Sequence, residues 1–190
     1  MRKVMAVDAG FANVGVAVMA YGAGAPGGEV AWHPVELGCI QTEKCGRKMK
    51  IGQQDDNARR IGEATRAICE IIRRHDIKAM VVELPAGGGP RANVVMMLAL
   101  ASGMIVAIAE CFGLAVEYYT PSDTRRAAGV PSTTKDRDNV KKIVMAEMGR
   151  LYPALERAFP ALERRNHVAD ALSCFEAARH GNIVRGMEAR

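Results

Sequence analysis

The sequence predicts an α/β fold in one domain, with a mixed five-stranded sheet that carries helices on both faces. Three observations lead to this fold class. The chain has 190 residues, of which 49% are apolar, which is enough for one substantial core and too few for two ordinary domains. Apolar runs of strand length open the chain, and after them strand patterns alternate with helical ones. An opening meander followed by such alternation is typical of a mixed sheet between two helical layers.

The opening meander consists of three apolar runs. Residues 3–8 form a short run that ends in Asp8, and after a turn at Ala9-Gly10 a second run covers residues 14–19. Two such runs on either side of a short turn with a glycine are typical of a hairpin. A loop rich in Gly and Ala follows, and residues 30–40 form the third run. We therefore expect three antiparallel strands at the start of the fold.

Helices and strands alternate in the rest of the chain. Ile61, Ala64 and Ile68 recur at helical spacing, whereas residues 79–83 form a short apolar run that again ends in an acid. The glycines and prolines of residues 85–90 break regular structure and predict a loop. The predicted series is helix 55–75, strand 79–83, helix 93–112, strand 114–119, helix 135–151 and helix 167–180.

One stretch, residues 94–109, carries no charge. It falls short of the ~20 residues that a membrane-spanning helix needs, and so it predicts a helix that is buried on most sides, in a core or a subunit interface. The start of the chain leaves no room for a signal peptide, and the cysteines form no C-x-x-C pair. We therefore expect a cytoplasmic protein with reduced, buried thiols and no membrane partner.

The chain carries a formal net charge of +5, which suits a polyanionic partner because clustered Lys and Arg displace counterions from phosphates. Charge alone does not establish DNA or RNA binding. Lys141 and Lys142 are explained equally well as ordinary solvated helix charges. Of Tyr118 and Tyr119, one is expected to face the core, since adjacent strand residues point opposite ways, which leaves the other for base stacking. The candidate phosphate contacts are Arg125, Arg126, Lys135, Arg137, Lys141 and Lys142.

The chemistry is expected where acids end the strands. Asp8 and Glu83 each follow an apolar run, and an acid at the end of a buried strand is costly unless a partner or metal compensates it. His167 and Asp170 are three residues apart on a predicted helix and so share a face. Carboxylates suit Mg²⁺ or Mn²⁺, and two ions about 4 Å apart would activate water and stabilise the leaving oxygen of a phosphodiester. Each residue alone has an ordinary explanation as a turn, strand-end or helix-start group, but together they favour a metal site.

At these positions the sequence resembles the RuvC-type Holliday-junction resolvases. Residues 5–18 (MAVDAGFANVGVAV) look like the first hairpin of that family, whose strand-end Asp is a metal ligand. Residues 81–83 match its second acid, and residues 167–172 (HVADAL) match its C-terminal motif, whose first position is Asp in some members and His, as here, in others. Residues 129–135 resemble its Gly followed six residues later by a Lys, here Lys135, near the cleaved phosphate.

This resemblance runs in order along nearly the whole chain. It implies a ribonuclease H-like fold and a Mg²⁺-dependent endonuclease that resolves four-way DNA junctions. Two ions per site are implied, with Mn²⁺ able to replace Mg²⁺, and their ligands would be Asp8, Glu83, His167 and Asp170. Symmetric cleavage of a four-way junction requires two sites related by a two-fold axis, so the family function implies a homodimer. The apolar helix 93–112 is the candidate surface for it.

The sequence departs from the family pattern in three places, one of which is residues 21–54, a segment longer than the family usually has and without an assigned function. Family members often carry an aromatic residue shortly after the second acid, thought to wedge into the junction, whereas residues 84–90 contain none. We therefore expect weak distortion of the junction centre and a mild sequence preference. A basic residue that the family places before the Gly falls at Thr124, with Arg125 and Arg126 beside it, so a shift of that role by one position is expected.

Three other functions stay open. The spacing of Asp8 and Gly15 also resembles the first phosphate loop of actin-like and sugar-kinase ATPases, but those proteins need a second comparable domain. A ribonuclease H-type or broadly structure-selective nuclease would use the same acids and differ in how it reads the substrate. A non-catalytic DNA-binding relative is disfavoured, because such a protein has no need of all the acids.

Overall fold

The computed structural model describes residues 2–23, 30–46, 51–84, 92–134 and 136–189. The strands are β1 (Arg2–Asp8), β2 (Asn13–Gly22), β3 (Ala31–Gln41), β4 (Ala79–Glu83) and β5 (Ala115–Tyr119). They form one five-stranded sheet in the order β3-β2-β1-β4-β5. The pairs β1·β2 and β2·β3 are antiparallel, and the pairs β1·β4 and β4·β5 are parallel. This is the predicted mixed sheet, and β1 lies at its centre.

Seven helices lie in the described residues, where the sequence predicts four. They are α1 (Gln53–His75), α2 (Ala92–Phe112), α3 (Pro121–Ala127), α4 (Arg137–Leu151), α5 (Ala154–Ala158), α6 (Leu162–Ala178) and α7 (Asn182–Glu188). The short helices α3, α5 and α7 are missing from the prediction because they carry too few turns to show an apolar repeat.

Alternating side chains of the sheet divide the interior into two cores. Val4 and Ala6 of β1 face the core shared with α4 and α6. Met5 and Val7 face the core shared with α1 and α2. Helices therefore cover both faces of the sheet, and the predicted α/β fold class is confirmed.

Helix α6 packs across the sheet and contacts β1, β2 and β4. Nine of its residues are buried. It begins at Leu162, earlier than the predicted residue 167, because residues 162–166 (LERRN) are mostly polar and show no apolar repeat. Arg165 fixes this first turn by donating to the carbonyl oxygens of Phe159 and Pro160. Of the thiols expected to be buried, Cys174 in this helix is buried, whereas Cys111 in α2 is exposed.

Helix α2 differs from the prediction in length and in burial. It has 21 residues, long and apolar enough to cross a membrane by length and composition, and 28% of its most apolar stretch is buried. Met104, Ile105 and Ile108 pack into the core beside α1, whereas Val95 and Val106 are exposed. The prediction of a helix buried on most sides is therefore wrong for the single chain. One face packs inward, and the described residues leave apolar side chains on the other face uncovered.

Candidate active site

The carboxyl ends of β1 and β4 bring two acids side by side. In the parallel pairing of these strands Asp8 is the register partner of Glu83. Neighbouring strands lie about 4.8 Å apart, so each carboxylate lies within the field of the other. Both residues are half-buried. The side-by-side arrangement expected from the sequence is therefore present at the middle of one edge of the sheet.

A glycine lets α6 approach this edge. Gly15 is the register partner of Asp8 in the β1·β2 pair. A Cβ at Gly15 would overlap the carbonyl group of His167. The overlapping atoms belong to helix backbone, which cannot move aside as the end of a flexible side chain can. The missing side chain at Gly15 is therefore what allows His167 and Asp170 to lie over the strand ends.

Three of the four predicted ligands form one compact group. The Nδ1 atom of His167 lies 3.2 Å from Oδ2 of Asp8. Ligand atoms of Asp8, His167 and Asp170 all lie within 4.8 Å of one another. Among the described residues Glu83 is not a member of this group. Two carboxylate oxygens and an imidazole nitrogen at such separations fit a single divalent cation such as Mg²⁺ or Mn²⁺.

Glu83 is held from the side of α3. The Thr124 hydroxyl donates to Oε2 of Glu83 at 2.6 Å, and Thr124 is only 2% exposed. Sequence reasoning identified Thr124 only as the position where the basic residue of the family is missing. The helix that carries it starts with recognisable signals, a Thr120–Asp123 capping box and Pro121 in the first turn.

The charges of the acids oppose one another. Burial raises the pKa of Glu83 to about 7, and the negative charge of Asp8 acts in the same direction, while Arg125 opposes it. Burial also raises the pKa of Asp170 well above its ordinary value, helped by the charges of Asp8 and Glu83 and opposed by Lys141. Like charges in a half-buried site destabilise the fold unless a cation compensates them. A divalent ion would do so, which is a second sign that this donor set fits a metal.

A cavity of about 540 Å³ opens beside the acids. Its lining includes three acids, Glu83, Asp138 and Asp170, and three cations, Arg125, Arg137 and Lys141. These cations are three of the predicted phosphate contacts. A pocket lined by both acids and cations has the chemistry to accommodate a divalent ion and a phosphodiester backbone together.

Two of the other predicted cations, Arg126 and Lys142, do not line this cavity. Arg126 lies 3.6 Å from Asp123 in an exposed ion pair and faces a different depression of the surface. Lys142 is exposed on α4 and is not among the residues that line the cavity. Lys135 and the loop of residues 85–90 lie outside the described residues.

The adjacent Tyr118 and Tyr119 point in opposite directions, as expected for a strand. Tyr119 packs against the core that contains α6. Tyr118 is 46% exposed on the edge strand β5. Tyr118 is therefore the member of the pair that is open to contact with a partner.

A buried arginine fixes the turn that follows Asp8, and the sequence analysis did not identify it. The Thr42 hydroxyl donates to the carbonyl oxygen of Phe11 at 3.1 Å, and Nε of Arg60 donates to the Thr42 hydroxyl oxygen at 3.1 Å. The guanidinium carbon also lies 4.5 Å from the centre of the Phe11 ring. Arg60 is 3% exposed. The sequence could have indicated that Arg60 is buried, because Arg60 lies one helical turn before the buried Ala64 and therefore on the apolar face of α1.

The five-stranded mixed sheet with helices on both faces is a ribonuclease H-like α/β fold. No protein-family model and no curated protein matches the sequence. Among solved structures, Thermus thermophilus RuvC in complex with a Holliday junction substrate is similar, with a TM-score of 0.62 and 19% identity over 94% of this chain and 96% of that chain. A second T. thermophilus RuvC structure has a TM-score of 0.61 and 18% identity over 98% and 96%. The resemblance indicated by the sequence motifs is thus confirmed at the level of the fold, and this chain has the fold of RuvC.

Proposed function

We propose that this chain is a metal-dependent endonuclease that cuts branched DNA, with symmetric resolution of Holliday junctions as its main reaction. The observation that carries the proposal is the compact group of Asp8, His167 and Asp170 beside Glu83, at the edge of a sheet with the RuvC fold. A T. thermophilus RuvC structure contains a Holliday junction substrate, which supports the same substrate class here. Residues 1–190 form one nuclease domain in this proposal.

The ligands of the proposed metal site are Asp8, Glu83, His167 and Asp170. We propose two ions per site, Mg²⁺ in the cell with Mn²⁺ able to substitute. When bound, such ions supply an activated water and stabilise the leaving oxygen of the phosphodiester. Asp8 would be the ligand nearest to all the others, because it belongs to the group with His167 and Asp170 and is also the register partner of Glu83.

The cations beside the acids bind the DNA backbone in this proposal. Arg125, Arg137 and Lys141 line the cavity next to the acids and contact the phosphates nearest the cut. Lys135 stabilises the charge that grows on the scissile phosphate in the transition state. Arg126 and Lys142 contact phosphates farther along the DNA.

We propose a homodimer that forms through α2, because symmetric cleavage requires two sites related by a two-fold axis. An apolar groove of about 590 Å³ lies between α1 and α2, with Met96, Leu100 and Phe112 in its wall. Val95 and Val106 are exposed on the same helix. A second copy of the chain would cover these side chains. Because the second copy would cover the apolar face of α2, we also propose that the protein is cytoplasmic and has no membrane partner.

A broader structure-selective or ribonuclease H-type nuclease is the second candidate. The observation in its favour is the lack of any aromatic residue in residues 84–90, where family members often carry the wedge that enters the junction. Selection by backbone shape and phosphate spacing would then replace base unstacking. A non-catalytic DNA-binding relative is disfavoured because all four proposed ligands are present.

A cleavage assay tests the proposal. Purified protein with Mg²⁺ is given a four-way junction, a flap, plain duplex and an RNA–DNA hybrid, and Asp8→Asn serves as the matched variant. We expect symmetric nicks in the junction. Asp8→Asn should abolish cleavage and leave junction binding largely intact, since binding rests on phosphate contacts elsewhere. An Asp8→Asn protein that cuts at the wild-type rate would remove the metal-site assignment, and preferred cutting of the hybrid or flap would favour the second candidate.

A further inference from the structure

The Glu83 carboxylate accepts one hydrogen bond from the described residues, and its donor is the Thr124 hydroxyl. The Thr124 Oγ1 atom lies 2.6 Å from Oε2 of Glu83 and 3.2 Å from the carbonyl oxygen of Pro121. A hydroxyl carries a single proton and can donate to only one of these oxygens. The shorter distance and the negative charge of the carboxylate assign the proton to Glu83.

The fold holds this hydroxyl in place. Thr124 is buried, and its backbone N–H donates to the carbonyl oxygen of Thr120 at 3.2 Å. Thr120 caps α3 through reciprocal hydrogen bonds with Asp123, and α3 packs against α6. A donor on a capped, packed helix cannot follow the carboxylate if the carboxylate turns, so it selects one orientation of the Glu83 side chain.

That orientation separates Glu83 from the other acids. Glu83 is the register partner of Asp8 and yet, among the described residues, lies outside the group whose ligand atoms are within 4.8 Å of one another. Without a donor on the α3 side, the carboxylate would be free to turn toward that group. Its attraction to a cation shared by Asp8, His167 and Asp170 would favour this turn.

We propose that Thr124 is a positioning residue that assigns Glu83 to the second metal ion. Its hydroxyl donates to Oε2 of Glu83 and holds that side chain away from the ion bound by Asp8, His167 and Asp170. The other carboxylate oxygen, Oε1, is then left for the second ion. Thr124 touches neither metal nor DNA in this role and acts only through Glu83. The inference rests on the proposed function, because it presumes that the acids hold two ions.

Binding of Mn²⁺ to the full-length protein without DNA, measured by calorimetry, tests the role directly. Thr124→Val keeps the shape of the side chain and removes the donor, whereas Thr124→Ser keeps the donor. Ser122→Ala is the matched control, since it removes an exposed hydroxyl from the same helix. We expect Thr124→Val to weaken the binding of one of two ions by about 10- to 100-fold, the usual cost of losing a partner that orients a metal ligand. Thr124→Ser and Ser122→Ala should bind as the wild type does.

Turnover and a double-mutant cycle separate positioning from a general loss of structure. Thr124→Val should lower kcat on a junction with KM unchanged, and high Mn²⁺ should restore the rate. In a Glu83→Gln background, Thr124→Val should cause no further loss of Mn²⁺ affinity, because its only route of action is gone. If circular dichroism shows that Thr124→Val is unfolded, Thr124→Ala replaces it in both measurements.

Three results would overturn the inference. The first is a Thr124→Val protein with the Mn²⁺ affinity and turnover of the wild type. The second is a loss of Mn²⁺ affinity on Thr124→Val that persists in the Glu83→Gln background. The third is a Thr124→Ser protein that is as impaired as Thr124→Val. Any of these, found while the wild type binds Mn²⁺ and Asp8→Asn does not, would leave the proposed function standing. A wild-type protein that binds no Mn²⁺ would overturn both.

Discussion

The four proposed ligands, here called the acidic side of the site, and the cations that line the cavity, here called its basic side, differ in how firmly the fold holds them. Asp8 and Asp170 are half-buried, one at the end of the central strand and one on the helix that crosses the sheet. Arg125, Arg137 and Lys141 are exposed on α3 and α4. Core packing therefore fixes the groups proposed for the chemistry, whereas the groups proposed to grip DNA project from the surface. Changes on the acidic side should disturb the fold and the chemistry together, and changes on the basic side should alter binding alone.

The largest effect on stability is expected from the charge of Glu83, which is disfavoured first by burial and then by the negative charge of Asp8. The folded-state pKa of Glu83, about 7, is above its value of roughly 4.3 in an unfolded chain. The stability that the protonated group contributes is therefore complete below pH ~4 and is lost as the pH rises through 7. In EDTA, Glu83→Gln should gain stability over the wild type between pH 5 and pH 8.5, by on the order of 3 kcal/mol.

Denaturant unfolding of both proteins at the two pH values measures this gain. Adding Mn²⁺ at pH 8.5 should reverse it, because the wild type alone keeps the full set of acids for the ion. A stability difference that does not change with pH would show that the acidic side is not under electrostatic strain.

The next effect concerns the close approach of α6 to the sheet. Gly15→Ala should destabilise the protein by about 1–3 kcal/mol, the usual cost of overpacking, and should displace His167 and Asp170 enough to cause a large loss of cleavage. Gly38→Ala on β3 is the control, since a Cβ at Gly38 meets nothing within 4 Å. Thermal unfolding and junction cleavage of the two variants measure the effect. Full activity in Gly15→Ala would mean that the acidic side tolerates a shift of the helix.

On the basic side, Lys141→Ala should weaken junction binding and leave turnover at saturating DNA nearly unchanged. The slope of log K against log salt should fall by about 1, the loss of a single phosphate contact. Lys142→Ala, next to it but outside the cavity lining, should have the smaller effect. Binding titrations at several salt concentrations decide this. A turnover defect in Lys141→Ala that persists at saturation would place Lys141 with the chemistry.

The smallest effect is expected in metal preference. His167 offers an imidazole nitrogen where some RuvC-type resolvases have a carboxylate, and Mn²⁺ tolerates imidazole better than Mg²⁺ does. Cleavage should therefore be a few-fold faster with Mn²⁺. The test measures the rate of junction cleavage with Mg²⁺ and with Mn²⁺, for the wild type and for His167→Ala. Equal rates that His167→Ala leaves unchanged would reduce His167 to a structural residue of α6.

The parts of the fold and site that could be predicted depend on local pattern. Asp8 and Glu83 each end an apolar run, and parallel strands place such ends at one edge of a sheet. His167 and Asp170 share a helix face by spacing alone. The roles of Gly15 and Thr124 could not be predicted, because each depends on which helix packs against it.

Solvent exposure was harder to predict than element type. The apolar pattern of α2 identified a helix correctly, but no local pattern shows whether a neighbour covers each face. The same limit applies to the basic residues, since proximity in sequence did not tell Lys141, which lines the cavity, from Lys142, which does not.

The pairing of Asp8 with Gly15 also has a consequence for recognising distant relatives. With Asp8 at the end of the central strand and α6 packed this closely across the sheet, the opposite position on β2 has no room for a side chain. Gly15 follows Asp8 by seven positions along the chain. An Asp followed at that spacing by a Gly, with His-x-x-Asp far downstream, is therefore the steric signature of this packing in the sequence.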